Sequence, residues 1–482
     1  MIFREIIIIF GLVLSVSCDG FNNVGYERIY YPGEGFQMGN IPYQPYAGPL
    51  RGDVNSLQVR GVKPEEMPVV KQPSTVLEPP NPNNQQILNR NAEVAIENKK
   101  DNVTATNVQY EKASSVLSSF GLDLIKDISQ SKAGNSVVSP FSIAILLSLL
   151  QQGASGNSLK QISNALHLQP QESAEIFKIL GEEIKKRDSN NVLEIANNVF
   201  VAGEFELSKK FKGIATNNFR SDVTPLSFQD GALASKFIND WVADKTRDKI
   251  TNLIAPDAIG QNTQMVLLNA MYFKGLWKIK FNPNSTAAGK FHLRDGKTIN
   301  TPFMKSYFMY KAGYDPRIKA EIVILPFENE DYSMMVLLPT GIDEMEYTLS
   351  ALSKINLKEY HDKLKPQELK LEIPKFNIKA QVDLIPILRK MGITDVFGWN
   401  PSLNGIGLYR NSSPRIDNAI HSAVLSIDEQ GGTAAAATAF TVIALMYDDT
   451  QEIKVNRPFV AVFWDNKLSI PLFVARIEDP SK

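Results

Sequence analysis

The sequence predicts an α+β protein with large sheets, preceded by a long segment without regular structure. After about residue 107, runs with the apolar spacing of a helix alternate with short runs that are apolar at successive positions. Such short runs are typical of strands that are covered on both faces. A chain of 482 residues with 43% hydrophobic residues is long enough for one large domain plus an appendage.

Residues 1–18 are predicted to be a secretory signal. Arg4 precedes the run "IIIIFGLVLSV", and the small residues Ser15, Ser17 and Cys18 follow it. A run of about 11 apolar residues is too short to span a bilayer, so we expect cleavage next to Cys18. An uncleaved anchor and a lipid-modified Cys18 are the alternatives. Cys18 is the only cysteine, so the mature protein would contain no disulfide. The expected location is secreted and extracellular.

Residues 19–106 are predicted to form a disordered, proline-rich N-terminal extension. Ten of the 27 prolines lie between Pro32 and Pro82. Each proline fixes φ and removes a backbone donor, and no apolar period of 2 or 3.6 survives between them. Tyrosines in this arm could dock on a partner, whereas the simpler interpretation is a disordered tail.

The folded domain is predicted to span residues 107–482. Its first helix contains "ASSVLSSFGLDLIKDI", and the next runs from Pro140 to Gly153, since proline favours a helix start and glycine a helix end. A third helix is "DGALASKFINDWVADKT". The predicted strands are "MVLLNAMYF", "EIVILPF", "YSMMVLLP", "ELKLEIPKFNI", "FVAVFW" and "IPLFVARIEDP".

Charge and motifs exclude several classes of function. The net charge of -1 gives no electrostatic reason to expect nucleic acid or an anionic membrane as partner. The basic run Lys185-Lys186-Arg187 is read as a solvated helix face, with a polyanion site as the alternative. The chain has four histidines and lacks HExxH, paired cysteines, GxSxG and a phosphate-binding loop. We therefore predict no enzyme activity, metal or cofactor, although a triad built from distant residues would leave no local mark.

Several segments, in order, resemble the serpin family of serine protease inhibitors. They include "NSVVSPFSI", "INDWVADKTRDKI", "LLNAMYFKGLWKIKF", "DEQGGTAAAAT" and "VNRPFVAVFWDN", and the resemblance extends from about Tyr110 to the end. It implies a serpin fold: a large central mixed sheet, further sheets, surrounding helices, and an exposed reactive-centre loop on a monomer. The segment "WNPSLNGI" departs from the family, where an acidic-apolar-Ser-Gly-Ile run is usual. The long arm is similar in layout to insect immune serpins of the Necrotic type.

The resemblance gives a meaning to the small residues near the C-terminus. In serpins the segment before the cleaved bond enters a sheet as a new strand, and large or charged side chains would clash there or lose hydration. Without the resemblance, "TAAAATAF" would be read as a surface helix. Strand alternation places Gly432, Ala434, Ala436 and Thr438 on one face, which the resemblance makes the inward face. The implied hinge residues are Glu429, Gly431, Gly432, Thr433, Ala434, Ala435, Ala436, Ala437 and Thr438.

The usual length of an inhibitory loop, counted from Glu429, implies a reactive bond at Leu445-Met446. The loop is about two residues longer than in well-known relatives, which leaves Ala444, Met446 and Tyr447 as alternatives. No Arg or Lys lies between Glu429 and Gln451. The expected partner is therefore an extracellular serine protease of the chymotrypsin-like or elastase-like kind.

Other residues receive supporting roles from the resemblance. A hydrogen-bonded cluster beneath the opening sheet would contain Ser139, Ser142, Asn239 and His421. Trp277 and a Lys375–Glu429 pair would lie where insertion starts, or would be ordinary packing and a surface ion pair. Independently, three N-x-[ST] triplets make their asparagines candidates for glycosylation: Asn102, Asn284 and Asn411.

Three functions follow as hypotheses. The first is a secreted protease inhibitor that acts as a suicide substrate: the loop is cleaved, an acyl-enzyme is trapped, and the loop inserts into the sheet. The second is a non-inhibitory serpin that acts as a carrier or storage protein; such relatives often have bulky, charged or proline residues in the hinge, and this chain does not. The third is an interaction protein that works through its N-terminal arm.

Overall fold

The computed structural model describes residues 6–9, 12–15, 107–130, 134–187, 192–431 and 450–482. Contacts divide the chain into Met1–Pro79 and Pro80–Lys482. In the first unit, β1 (Ile6–Ile9) pairs with β2 (Leu12–Ser15) as an antiparallel hairpin inside the predicted signal. The predicted arm, residues 19–106, lies outside the described residues.

The helices of the second unit include one that is buried almost completely. The first, α1, spans 107–130. In α2 (Pro140–Gly153), 13 of the 14 residues are buried, and the Ser139 hydroxyl caps the helix by accepting from the Ser142 amide at 3.2 Å. α2 is therefore a core helix with the predicted ends. The others are α3 (Gly156–Leu166), α4 (Pro170–Lys185), α5 (Lys209–Phe219), α6 (Gly231–Lys245), α7 (Met345–Leu352), α8 (Lys358–Lys363) and α9 (Leu384–Lys390).

A five-stranded sheet, here called the central sheet, contains β13 (Phe376–Asp383), β15 (Asn418–Ile427), β7 (Met265–Lys274), β4 (Val192–Ala202) and β6 (Asp222–Leu226), in that spatial order. β13 is antiparallel to β15, and β4 is antiparallel to β7. The middle pair, β15 and β7, is parallel. The sheet is thus mixed, as predicted, and β7 is buried along almost its whole length because both faces are covered.

A nine-stranded sheet forms the other layer. Its order is β16 (Glu452–Lys454), β12 (Lys365–Pro374), β9 (Thr298–Asp315), β10 (Ala320–Pro326), β11 (Tyr332–Pro339), β17 (Phe459–Asp465), β18 (Ile470–Ile477) and β3 (Ser136–Val138), with β8 (Ala287–His292) paired to β9. β5 (Phe205–Leu207) and β14 (Gly407–Tyr409) form a separate pair. The predicted α+β class is confirmed.

One predicted strand is divided. The run "ELKLEIPKFNI" was expected to be one strand, but β12 ends at Pro374 and β13 begins at Phe376 in the other sheet. Pro374 has no amide hydrogen and cannot continue a ladder on both sides. Lys375 instead donates its amide to Pro302 O at 2.9 Å. The chain thus passes from one sheet to the other at Lys375, and this brings that residue close to the site.

The core between the layers is continuous. α2 contacts β7 and β4 of the central sheet and also β18 of the nine-stranded sheet. The Phe273 ring of β7 packs 5.1 Å from Phe327 and 5.5 Å from Phe463 of β17. Within the ranges that the structure describes, no helix combines the length and the apolar character needed to cross a membrane.

Candidate reactive-loop hinge

The chain that precedes the predicted loop leaves the central sheet at a parallel pair of strands. β15 and β7 lie side by side with eight register pairs, from Asn418 opposite Val266 to Leu425 opposite Phe273. This pair is called the β7–β15 seam below. Parallel ladders are slightly less stable per residue than antiparallel ones, so the seam is the weaker junction between two antiparallel pairs.

A tight turn follows β15. The Asp428 carboxylate accepts hydrogen bonds from the amides of Gln430, at 2.9 Å, and Gly431, at 3.1 Å. Gly431 has φ +112°, and a Cβ there would lie 2.4 Å from Gly275 O. Glycine is therefore required here by both conformation and space. The rest of the predicted hinge, 432–438, and the predicted bond at 445–446 lie outside the described residues.

The turn is fastened to the residues that follow β7. The Trp277 amide donates to Gln430 O at 2.7 Å, and the Phe281 amide donates to Glu429 O at 2.9 Å. The Trp277 indole donates to Asp428 O at 2.9 Å. This indole is 1% exposed and stacks on Phe327 with ring centroids 4.6 Å apart. The chain that leaves β15 is thus hydrogen-bonded to the residues after β7, and the buried Trp277–Phe327 stack supports it.

Glu429 is held by two side chains. Its carboxylate lies 2.8 Å from Lys375 Nζ and accepts from the Thr286 hydroxyl at 2.8 Å. The residue is 8% exposed, so the contact is not an ordinary surface ion pair. Burial alone would raise the pKa of Glu429, but the hydrogen bonds from Lys375 and Thr286 outweigh it and hold the pKa below its ordinary value. Glu429 is therefore charged at neutral pH and anchors the turn.

Ser139, Ser142 and His421 lie together beneath the seam. The Ser139 amide donates to His421 Nε2 at 3.0 Å, so Nε2 carries no proton and the neutral ring must carry it on Nδ1. Nδ1 then donates to Asn269 Oδ1, which also accepts from the Ser142 hydroxyl at 2.9 Å. His421 of β15 and Asn269 of β7 are direct register partners across the seam. This cluster therefore ties the two strands to each other and to α2.

The prediction that Asn239 is the fourth member of this cluster is wrong. Asn239 is on α6, where its carbonyl oxygen accepts from the amides of Leu253 and Ile254 and its nitrogen donates to Ile254 O. Asn269 takes its place. The sequence contained a signal for this: Asn269 is a lone polar residue within the apolar run "MVLLNAMYF", and a buried polar side chain requires a partner.

Acid should weaken the cluster. Burial lowers the pKa of His421 from 6.5 to about 3, so between these values the unfolded chain binds a proton that the native ring does not. Stability is then complete above about pH 6.5 and falls with acidification, by about 1.4 kcal/mol per pH unit at most. We expect a loss of about 2 kcal/mol between pH 7 and pH 5, measured by urea unfolding. The same loss in His421→Gln would contradict this assignment.

His421 and the residue types that bind metals are the candidates for chemistry of their own. No carboxylate in the described ranges contacts His421, and the shift of its pKa has burial as its cause. No group of three or more His, Cys, Asp or Glu in those ranges could hold a metal ion. Asn284 is exposed in a short turn and Asn411 is exposed beside β14, whereas Asn102 lies outside the described residues.

The segment "WNPSLNGI", which departs from the family pattern, packs closely against the C-terminal end of α2. The Gly405 amide donates to Gly153 O at 3.0 Å, and a Cβ at Gly405 would lie 2.8 Å from that oxygen. A side chain at position 405 would therefore collide with the last residue of α2, and only glycine fits there. Trp399 of the same segment is 94% exposed, with the Arg415 guanidinium 5.5 Å from its ring.

Comparisons with known proteins agree with this architecture. A profile of the family "Serpin (serine protease inhibitor)" matches residues 115–480. The leukocyte elastase inhibitor of Sus scrofa is 31% identical, over 77% of this chain and 100% of that protein. The crystal structure of Manduca sexta serpin-12 superposes with a TM-score of 0.70 at 44% identity, over 76% of this chain and 99% of that one. Human thyroxine-binding globulin, solved with thyroxine, gives 0.71 at 25% identity, over 78% and 100%. With this family match and the central sheet described above, the chain belongs to the serpin family.

Proposed function

We propose that this protein is a secreted inhibitor of serine proteases that acts as a suicide substrate. The observation that carries the proposal is the β7–β15 seam together with the turn that leaves it. Because β7 and β15 are parallel, a segment that turns back after β15 would run antiparallel to both strands. Its insertion would replace one parallel ladder with two antiparallel ones, which are slightly more stable per residue.

The small hinge residues permit this insertion. A strand between β7 and β15 has one face toward α2 and the aromatic core, where a large side chain would overlap existing atoms. Gly432, Ala434, Ala436 and Thr438 present little volume and no charge to that face. Gly431, with its positive φ, lies at the point where the chain would reverse.

The chemistry belongs to the protease. Its serine attacks the carbonyl carbon of Leu445, the Leu445–Met446 peptide bond breaks, and an ester joins Leu445 to the serine while the new amine leaves on Met446. The acyl end remains attached to β15, and the amine end remains attached to β16. Insertion of the acyl segment then carries the protease with it before water can hydrolyse the ester. Energy for this movement is stored in a kinetically trapped fold.

The expected partner is an extracellular protease of the chymotrypsin-like or elastase-like kind, bound by a monomeric inhibitor. The absence of Arg and Lys between Glu429 and Gln451 supports this class, as does the name of one relative, leukocyte elastase inhibitor. A carrier or storage function is the second candidate, because thyroxine-binding globulin has the same fold. The part of the hinge that would insert, Gly431 to Thr438, contains neither charge nor proline, and this favours the inhibitor.

A covalent complex tests the proposal. Mixed with chymotrypsin or elastase, the protein should form a complex that survives boiling in detergent, seen by gel electrophoresis. A chain that begins at residue 107 should form it equally well if the arm, which resembles that of insect immune serpins in layout, is a tether. Failure of both chains with a panel of such proteases would favour the carrier; failure of the shortened chain alone would favour an interaction function of the arm.

A further inference from the structure

A cavity away from the hinge lies beneath the β4 side of the central sheet. Its volume is about 320 Å³, which is within the range of small-ligand sites. Three rings form one wall: Phe177 of α4 lies 6.1 Å from Phe141 of α2 and 6.3 Å from Phe219 of α5, measured between ring centroids. Leu193 and Ile195 of β4 also line the cavity. These five side chains are apolar and come from three helices and one strand.

The charges around this cavity are mainly positive. Lys185 and Arg220 line it, and Glu194, the one acidic residue among the described residues of the lining, is paired with Arg247 at 2.7 Å. Arg220 is exposed, and one of its guanidinium nitrogens donates to Gly181 O at 3.0 Å. A second cavity of about 330 Å³ begins on the other side of Arg220 and adds one residue of each sign, Lys245 and Asp222. Arg220 thus lies between the two cavities, and an anionic ligand group is favoured next to it over a cationic one.

Asn197 adds a polar group at the same boundary. It lines both cavities, and it is 4% exposed. Its carbonyl oxygen accepts from Asn269 Nδ2. Its side-chain amide nitrogen is a hydrogen-bond donor next to the two cavities. The position combines an apolar slot with a guanidinium and an amide donor at one end.

We propose that this cavity binds an amphipathic anion, specifically an aliphatic carboxylate. The hydrocarbon chain would lie against Phe141, Phe177 and Ile145, where it removes apolar surface from water. The carboxylate would accept hydrogen bonds from Arg220 and from the Asn197 amide, the first of them charge-assisted. A cationic amphiphile of the same length would place its charge next to Arg220 and Lys185 and would be rejected.

Occupancy would also affect the seam. Asn197 and His421 are both register partners of Asn269, so Asn197, Asn269 and His421 form one hydrogen-bonded row across β4, β7 and β15. A ligand packed between α2 and β4 ties these elements together, whereas insertion requires β7 and β4 to move away from β15 and past α2. We expect the bound ligand to slow insertion of the loop. This effect rests on the proposed inhibitor function, whereas binding of the ligand does not depend on it.

Calorimetry with sodium dodecanoate, below its micelle concentration, tests the site. We expect one dodecanoate per protein and no binding of dodecyltrimethylammonium. Arg220→Gln should weaken binding at least about tenfold, the loss expected for one charge-assisted hydrogen bond, and Arg220→Lys should restore most of it. Lys212→Gln, on the exposed side of α5, is the matched control. Leu193→Trp should abolish binding by filling the cavity. Unaltered affinity in Arg220→Gln, or equal binding of the cation, would overturn the proposal.

A kinetic measurement separates the two parts of the inference. Saturating dodecanoate should slow formation of the detergent-resistant complex in the wild type but not in Leu193→Trp, which does not bind it. An unchanged rate with ligand bound would overturn the coupling to the seam. Binding as expected, with no complex under any condition, would instead contradict the inhibitor function and leave the carboxylate site in place.

Discussion

Replacing Ala434 with arginine is expected to turn the protein from an inhibitor of its target protease into a substrate. After cleavage, residue 434 must enter the β7–β15 seam with its side chain toward the core. Burial of an unpaired guanidinium there costs several kcal/mol, and each 1.4 kcal/mol slows insertion about tenfold. Hydrolysis of the ester would then overtake insertion. Gly432→Arg should act in the same way, because residues 432 and 434 share a strand face.

The matched control is Ala435→Arg. Residue 435 lies between the inward positions 434 and 436 and would point to the opposite face of the inserted strand. The number of inhibitor molecules consumed per protease inactivated should rise at least about tenfold for Ala434→Arg and stay near the wild-type value for Ala435→Arg. Titration of residual protease activity gives this number. Normal trapping of protease by both Gly432→Arg and Ala434→Arg would show that the loop does not insert. An equal loss of inhibition in all three variants would indicate that the substitutions impair binding of the loop to the protease.

The sequence predicted elements well where one physical rule decided the structure. α2 has the predicted ends because proline favours the first position of a helix and glycine favours its end. β7 was recognisable as a strand because nine of its ten residues are buried, which gives a short, continuous apolar run. The strand "ELKLEIPKFNI" was misjudged because apolar periodicity does not report which sheet a residue joins. Pro374 was the local sign of the break.

The site was less predictable, since it is made of contacts between distant segments. The hinge turn depends on Gly275 and Trp277, some 150 positions before Gly431, and no local pattern in "DEQGG" reveals them. The prediction from the resemblance included a polar cluster around His421 and assigned to it Asn239, which lies on α6. The structure supplies an asparagine from β7 instead, because only a side chain on the neighbouring strand faces Nδ1. A rule based on register would have selected Asn269, whereas a rule based on motif selected Asn239.

Replacing Leu445 with arginine is expected to exchange one class of target protease for another. If the reactive bond is Leu445-Met446, Leu445 fills the primary specificity pocket of the protease. A chymotrypsin-like pocket is apolar, whereas a trypsin-like pocket contains a buried carboxylate that an apolar side chain leaves unpaired. Leu445→Arg should therefore lose inhibition of chymotrypsin by at least about 100-fold and gain inhibition of trypsin, because an unmatched buried charge discriminates strongly.

Met446→Arg and Tyr447→Arg are the matched variants for the neighbouring registers, since the loop is about two residues longer than in well-known relatives. The variant that gains inhibition of trypsin identifies the residue in the pocket, and peptide masses after reaction with chymotrypsin identify the cleaved bond independently. Cleavage after Leu445 supports the register counted from Glu429, whereas cleavage after Met446 or Tyr447 moves it toward β16. The segment "TVIALMYDD" contains no Arg or Lys under any of these registers. Rapid inhibition of a strictly Arg-specific protease by the wild type would therefore contradict the specificity argument as a whole, because no register places a cation in the pocket.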